Sequence, residues 1–158
     1  MVKIDGLDKL LAEHPFFKDL DASVRELIAG CAANEVIHPG DYLYREGDVI
    51  DKFYVIRHGR VALDVYVPGK NPLVIETLQE GDILGWAWLM PPYKAAFDAR
   101  AEQLVRAVSL DAACLRKKCE DDHMVGYEIY KRFLPIVAER LKAARMQLTD
   151  LYANPKRT

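Results

Sequence analysis

The feature that most constrains the fold is a series of short apolar runs separated by glycine-containing turns between residues 34 and 110. Turns with Pro-Gly-Asp at 39–41 and Glu-Gly-Asp at 46–48 enclose one strand-like run. Two further runs, 53–56 and 61–67, meet across a His-Gly-Arg turn, which predicts a hairpin. Many short strands at near-regular intervals predict a double-sheet jelly roll or β-roll. The sequence does not show the alternation of strands with helices that would predict a parallel sheet.

Helical patterns flank this β-rich zone on both sides. Before it, apolar residues recur at helical spacing from Leu20 to Cys31. After it, residues 111–120 fit a short helix and residues 123–152 fit a much longer one. We therefore expect one α+β, mainly β, domain over residues 1–158, made of N-terminal helices (1–33), a jelly roll or β-roll (34–110) and C-terminal helices (111–152).

Charge and hydropathy exclude several classes of function. The chain has 22 Lys and Arg against 24 Asp and Glu, a net charge of −2, which gives no overall attraction to nucleic acid or to an anionic membrane. No apolar run approaches the ~18 residues that span a bilayer. Residues 1–6 lack the basic and then apolar pattern of a secretory signal, so we expect a cytoplasmic protein.

The three cysteines, Cys31, Cys114 and Cys119, form no Cys-x-x-Cys pair and have no histidine at metal-ligand spacing. We expect them to be reduced thiols of the core, with Cys114 and Cys119 as the pair for any crosslink. The chain also lacks a recognisable nucleophile context, a paired-carboxylate motif and a phosphate-binding Walker loop. These observations predict a protein that is not an enzyme and carries no cofactor or metal.

The long C-terminal helix has the most regular pattern in the chain. Its apolar residues step by three and four, which is typical of two helices that pack along each other. The alternative is that this stripe packs on the protein's own β-roll. Pro135 is expected to kink the helix near Lys131 and to make a candidate hinge. The stripe consists of Tyr127, Tyr130, Leu134, Val137, Leu141, Ala144, Leu148 and Leu151, and the basic residues Lys131, Arg132, Arg140, Lys142 and Arg145 are expected to be its solvated flank.

The segment 81–101, called the cassette below, carries the candidate chemistry. It joins the end of a strand through Gly81 and Gly85 to a short apolar helical turn. Backbone N–H groups at the start of such a turn lack partners and attract anions. On the next strand, Arg100 is suited to a bidentate contact with phosphate.

The order of these parts resembles the cyclic nucleotide-binding domain, specifically the sensor half of the bacterial catabolite activator superfamily. Residues 44–48, 53–59 and 81–85 match motifs of that family in order, and the resemblance covers about residues 8–152. It implies that Gly85, Trp86 and Ala87 supply amides to a cyclic phosphate, that Arg100 faces the phosphate, and that Ala101 adds another amide. It also implies that the long helix dimerises and caps the base, for which Tyr127 and Tyr130 are the candidates.

Two departures from the family pattern concern the ribose side of the site. The family usually has Glu directly after the cassette glycine, where this chain has Trp86, and the stretch from there to Arg100 is longer. Trp86, Trp88 or Tyr93 can stack on a base, or Trp86 and Trp88 can fill the pocket with apolar packing. Asp98 is a candidate either to replace the missing acid or to orient Arg100; the sequence leaves both alternatives open.

These residues predict a regulatory sensor that binds a cyclic nucleotide or a related phosphate ligand, with cyclic AMP and cyclic GMP as the first candidates. The expected partner is a second copy of the chain, bound through the C-terminal helix. Direct DNA binding is not expected, because the family's helix-turn-helix domain follows the long helix and this chain ends first. The alternative is a degenerate, ligand-free fold that acts as a dimeric protein-interaction module.

Overall fold

The computed structural model describes residues 7–153 and forms two four-stranded antiparallel sheets with helices at both ends of the chain. Residues 1–6, on which the expectation about a secretory signal rests, lie outside the described part, as do residues 154–158. The elements are α1 (Leu7–Glu13), α2 (Ala22–Ala29), β1 (Ala32–Ile37), β2 (Tyr42–Tyr44), β3 (Lys52–His58), β4 (Val61–Val65), β5 (Leu73–Leu78), β6 (Ile83–Leu84), a 3₁₀ turn (Ala87–Leu89), β7 (Asp98–Ala101), β8 (Val105–Asp111), α3 (Ala112–Asp121) and α4 (His123–Ala153).

The strand order confirms the predicted jelly roll. The first sheet has the order β1-β8-β3-β6 and the second has the order β2-β7-β4-β5. All pairs are antiparallel. The hairpin predicted around Gly59 is wrong, because the turn there carries the chain from one sheet to the other: β3 pairs with β6 and β8, whereas β4 pairs with β5 and β7. Gly59 has φ +93°, and a Cβ there would lie 2.3 Å from the carbonyl oxygen of Leu104, so the turn requires glycine.

Two apolar clusters form because successive side chains of a strand point to opposite faces of its sheet. The inter-sheet core lies between the two sheets and includes Tyr54, Ile56, Leu63, Ala99 and Ala101. The helix-side core lies on the other face of the first sheet, where the N-terminal and C-terminal helices cover it. Its aromatic members are Phe16, Phe17, Phe53, Trp88 and Phe133.

Helix α4 presents two different faces. Val125, Ile129 and Phe133 are buried against the helix-side core, whereas Leu134 and Leu141 of the predicted stripe are 68% and 70% exposed. The alternative that the stripe packs on the chain's own β-roll is therefore wrong for these residues. The helix continues through Pro135 as one element, so the kink remains a prediction.

The expectation that the cysteines are reduced is wrong in the structure, because Cys31 and Cys114 form a disulfide and Cys119 is free. The residues are 83 positions apart, so no local pattern in the sequence predicts the pair. The pairing of Ala32 with Leu110 brings the start of β1 beside the start of α3. The two Cα atoms of the disulfide are thereby 5.8 Å apart, a distance suited to the bond.

Within residues 7–153, no helix combines the length and the apolar character that crossing a membrane requires.

Candidate functional site

The cassette begins with a sharp turn that only glycine accommodates. Gly85, directly after β6, has φ +97°, and a Cβ there would lie 3.3 Å from the carbonyl oxygen of Lys52. The chain then enters the 3₁₀ turn Ala87–Leu89, which Trp86 precedes and which the bond from the Leu89 amide to the Trp86 carbonyl closes at 3.1 Å. The turn thus starts immediately after a close approach to β3.

Three consecutive amides at this turn are candidates for an anion. Among the hydrogen bonds that lie outside helices and strands in the described chain, none has the amide of Gly85, Trp86 or Ala87 as its donor. The first N–H groups of a helical turn have no partner within the turn. This arrangement matches the chemistry expected for residues 85–87.

Trp88 is not available to a ligand, contrary to the expectation that included it in the site. Its side chain is 0% exposed and its ring stacks on Phe53, with 5.6 Å between the ring centroids. Phe133 of α4 meets the same ring edge-on at 5.5 Å. Apolar packing at the centre of the helix-side core explains this position, so Trp88 is a structural residue.

The two other aromatic residues of the cassette have their own contacts. Trp86 is half-buried and packs against the helix-side core. The ring of Tyr93 lies under the guanidinium of Arg116, 4.3 Å from the ring centroid. Of the aromatic residues considered for base stacking, Trp86 alone combines partial exposure with a place beside the candidate amides.

Arg100 faces away from the inter-sheet core. Its neighbours Ala99 and Ala101 both lie in that core, and alternation along β7 therefore directs Arg100 to the opposite face of the second sheet. Its Nε donates to Oδ2 of Asp64 at 3.1 Å. No described contact joins Arg100 to residues 85–87, so the structure does not assemble the predicted phosphate site around this arginine.

The partner of Arg100 is a buried carboxylate that the sequence interpretation missed. Asp64 is 2% exposed, and its second carboxylate oxygen, Oδ1, has no hydrogen-bond partner among the described residues. Asp98, the acid expected to orient Arg100, instead accepts from the Glu46 amide at 2.7 Å and lies 3.6 Å from Arg45. An acid inside the apolar run of β4 was the signal that could have identified Asp64.

Ala101 does not provide a free amide, so its predicted role is wrong in this structure. Its N–H donates to the carbonyl oxygen of Asp41 at 2.9 Å, and its own carbonyl accepts from Gly40 at 2.7 Å. The residue is fully buried. Both backbone groups hold the turn before β2 against β7, which leaves no donor for a ligand.

The tyrosines proposed to cap a base lie on exposed parts of α4. Tyr130 donates from its hydroxyl to the carbonyl oxygen of Leu89 at 3.0 Å, and Tyr127 carries the Lys131 ammonium 5.6 Å from its ring centroid. Burial raises the pKa of Tyr130, with Cys119 and Tyr93 as further contributors. The Tyr130 contact connects the helix directly to the 3₁₀ turn Ala87–Leu89, called the cassette turn below.

Arg140 is a second buried charged residue, and the sequence interpretation placed it wrongly. It was expected on a solvated flank but is 7% exposed, and its guanidinium donates to the Ile83 carbonyl at 2.5 Å and contacts the Glu76 carboxylate at 3.3 Å. Burial raises the pKa of Glu76, although Arg140 acts in the opposite direction. Arg140 follows Phe133 by seven residues, or about two helical turns, which was the available signal that it faces the roll.

A cavity of about 1010 Å³ lies beside this ion pair, between α4, the turn before β6 and the segment after α1. Its lining does not include residues 85–87 or Arg100. Acidic side chains outnumber basic ones around it, and within residues 7–153 no group of three or more His, Cys, Asp or Glu is arranged to hold a metal ion. The lining residues are His14, Pro15, Phe16, Asp19, Glu76, Glu80, Gly81, Asp82, Ile83, Glu128, Lys131, Arg132, Pro135, Ile136, Glu139 and Arg140.

Comparison with protein families finds one model that matches the chain. The model describes a cyclic nucleotide-binding domain and matches residues 34–122, which include most of β1, the strands β2 to β8 and α3.

Comparison with curated proteins finds relatives of low identity. The chain is 26% identical to a CRP-like cAMP-activated global transcriptional regulator of Mycobacterium tuberculosis over 150 residues, which is 92% of this chain and 63% of the relative. The chain thus spans less than two thirds of that regulator's length. It is also 29% identical, over 106 residues, to a cAMP-dependent protein kinase regulatory subunit of Yarrowia lipolytica, which covers 66% of this chain and 28% of that subunit.

Comparison with solved structures supports the fold. A candidate cyclic nucleotide-binding protein from Geobacter metallireducens superposes with a TM-score of 0.76 at 24% identity, covering 88% of this chain and 99% of that one. A cyclic nucleotide-binding domain from Methylobacillus flagellatus gives a TM-score of 0.74 at 16% identity, covering 90% and 80% of the two chains.

Proposed function

Because this chain belongs to the cyclic nucleotide-binding domain family, we propose that it is a regulatory sensor that binds a cyclic nucleotide and signals through α4. Cyclic AMP is the first candidate ligand and cyclic GMP the second. The proposed module has no catalytic role and acts in the cytoplasm. Its partner is a second copy of the chain.

The observation that carries this proposal is a set of contacts between the cassette turn and the C-terminal helices. Arg116 on α3 donates to the Trp88 carbonyl at 2.9 Å, and Tyr130 on α4 donates to the Leu89 carbonyl at 3.0 Å. The Trp88 ring also contacts Phe133 of α4. A ligand that moves the turn therefore moves groups to which both helices are directly bonded.

In the proposed site the ligand phosphate binds the amides of residues 85–87. The half-buried Trp86 ring lies beside the base or ribose. Arg100 is not included, because its Nε is bonded to the buried Asp64 and its side chain points away from the inter-sheet core. This site is narrower than the one predicted from the sequence, since Trp88 and Ala101 also leave it.

The proposed output is a change in the position of α4 within a homodimer. The exposed stripe on α4 that includes Leu134, Leu141 and Leu148 provides a surface for the second copy. Ligand binding shifts the balance between two helix positions, and coupling of this kind is typically worth ~1–3 kcal/mol.

A titration with cyclic AMP and cyclic GMP, followed by hydrogen exchange of the bound and free protein, tests the proposal. We expect slower exchange at the amides of residues 85–87 and a change in α4 around Tyr130. Binding without any change in α4 would refute the proposal that α4 carries the signal. If neither nucleotide binds, the proposal that the ligand is cyclic AMP or cyclic GMP is refuted.

A second function, a ligand-independent interaction module, has one specific observation in its favour. The residue where the family has an acid, Trp86, packs against the helix-side core, and the cassette arginine is already neutralised by Asp64. Under this alternative the dimer forms in the same way but responds to no nucleotide.

A further inference from the structure

The disulfide between Cys31 and Cys114 joins two parts of the chain that enclose the entire β-roll. Cys31 follows α2 and Cys114 lies in the first turn of α3. All eight strands lie between the two positions in the sequence, so the bond joins the residue just before β1 to the helix that follows β8. The amide of Asp111, which caps α3, also donates to the Cys31 carbonyl at 2.9 Å.

Helix α3, which begins with the disulfide-bonded turn, also contacts the cassette. Arg116, two residues after Cys114, donates to the Trp88 carbonyl at 2.9 Å and covers the ring of Tyr93 at 4.3 Å. A constraint on the start of α3 therefore fixes the position of a side chain that clamps the cassette at two points. The disulfide is therefore linked to the cassette through the covalent bond and these contacts of Arg116.

We propose that the Cys31–Cys114 disulfide is a reversible, redox-sensitive lock that holds α3, and through Arg116 the cassette, in the position seen here. Cys31 is buried and Cys114 is only partly buried, so Cys114 is the more accessible of the two bonded residues to an attacking thiolate. In the cytoplasm, the location proposed above, persistent disulfides are rare and those that form are usually catalytic or redox-sensing. The lock does not depend on which ligand binds, or on whether any does.

The co-reactant is a dithiol, and the exchange is balanced. One thiolate of the dithiol attacks Sγ of Cys114, the bond to Cys31 breaks, and Cys31 leaves as a thiolate that takes a proton from solvent. The second thiolate of the dithiol then displaces Cys114, which is protonated in turn. Two electrons and two protons pass to the protein, and the dithiol becomes a disulfide.

Cys119 is the remaining thiol and gives the matched control. Burial raises its pKa, with Glu120 adding to the effect, so it is a poor nucleophile for reshuffling the bond. A Cys119→Ser variant should therefore keep the lock intact. The variant with both Cys31→Ser and Cys114→Ser should behave as the reduced protein.

The experiment counts free thiols in the folded protein before and after treatment with dithiothreitol, without denaturant. The structure predicts one free thiol before treatment and three after it, since the chain has three cysteines and two are bonded. Removal of the dithiol with an added oxidised dithiol should restore one. Three free thiols at the start, or one that persists until the protein unfolds, would overturn the proposal.

Hydrogen exchange separates a lock from a bond that only stabilises the fold. On reduction, we expect faster exchange in α3 and in the cassette turn 87–89, at least several-fold, while the central strand β3 is unchanged. Unchanged exchange in α3, or an equal increase over the whole chain, would contradict the proposal. Treating the wild type with dithiothreitol keeps the test decisive if the double-serine variant fails to fold. Neither the thiol count nor the hydrogen-exchange measurement requires a nucleotide.

Discussion

The hydroxyl of Tyr130 on α4 donates a hydrogen bond to the backbone carbonyl oxygen of Leu89, 3.0 Å away, at the end of the cassette turn. The bond satisfies a carbonyl that the short 3₁₀ turn cannot pair internally. It also joins the C-terminal helix directly to the cassette. The proposed sensor role depends on this relationship and on the neighbouring contacts of Trp88.

The first prediction concerns that bond. Tyr130→Phe should reduce the free energy of unfolding by about 1 kcal/mol, the usual net value of one hydrogen bond. It should also speed hydrogen exchange at residues 87–89, measured by mass spectrometry. Tyr127→Phe is the matched control, because Tyr127 makes no hydrogen bond to the cassette among the described contacts. Equal effects of the two substitutions would contradict the assigned link.

The second prediction separates the two tryptophans. Trp88→Ala should lower the free energy of unfolding by roughly 3–5 kcal/mol, because it opens a cavity between Phe53 and Phe133. Trp86→Ala should lower the free energy of unfolding by only about 1 kcal/mol, because the Trp86 side chain is only partly buried at the edge of the core. Urea unfolding of both variants measures the difference. A larger decrease in the free energy of unfolding for Trp86→Ala than for Trp88→Ala would show that Trp86, and not Trp88, is the core tryptophan.

The third prediction concerns the pair formed by Asp64 and Arg100. Arg100→Ala should destabilise the fold by roughly 2 kcal/mol, less than for a fully buried pair, because the arginine side chain is 33% exposed. The loss arises because the buried carboxylate is left without its ion-pair partner. Adding Asp64→Asn to Arg100→Ala should recover about half of it in urea unfolding.

The same variants test the site assignment. Since Arg100 points away from the inter-sheet core, Arg100→Ala should leave the affinity for cyclic AMP within about threefold of wild type, measured where the variant is fully folded. A loss of affinity of a hundredfold or more would show that Arg100 does contact the ligand phosphate. Additive effects of the two substitutions on stability would instead show that the ion pair is not coupled.

The fourth prediction concerns the exposed stripe of α4. Leu141→Glu should convert a dimer into a monomer in analytical ultracentrifugation, because it places a charge in an apolar seam. Tyr66→Glu is the control, since Tyr66 is similarly exposed, at 66%, but lies outside the helix. A wild-type monomer at high concentration, or an unchanged dimer in Leu141→Glu, would contradict the proposed interface.

The sequence predicted the fold well because the fold depends on local signals. Glycine turns, short apolar runs and the spacing of the last helix identified the jelly roll and its flanking helices. The exposed stripe that includes Leu134 was also predicted, although its role in a dimer remains a prediction. The disulfide was missed because it depends on the register of β1 against β8, which brings distant residues together.

The candidate site was predicted less well because it depends on which way side chains point. Alternation along β7 turns Arg100 away from the core, and only the observed strand boundaries establish that alternation. Trp88 and Arg140 are both buried by tertiary packing that their neighbours in sequence do not reveal. That the amides of residues 85–87 lack a backbone acceptor among the described turn and loop bonds was predictable, because a glycine turn followed by a short helical turn leaves its first N–H groups unpaired.

The most direct test of the central claim is calorimetric titration of the wild-type protein and of Trp86→Glu with cyclic AMP. The substitution restores the acid that the family pattern has after the cassette glycine. The account predicts saturable binding of one nucleotide per chain, with an affinity at least tenfold higher for Trp86→Glu than for a Trp86→Gln control, because the carboxylate accepts from a ribose hydroxyl. No heat of binding in any of the three proteins, at nucleotide concentrations up to millimolar, would contradict it.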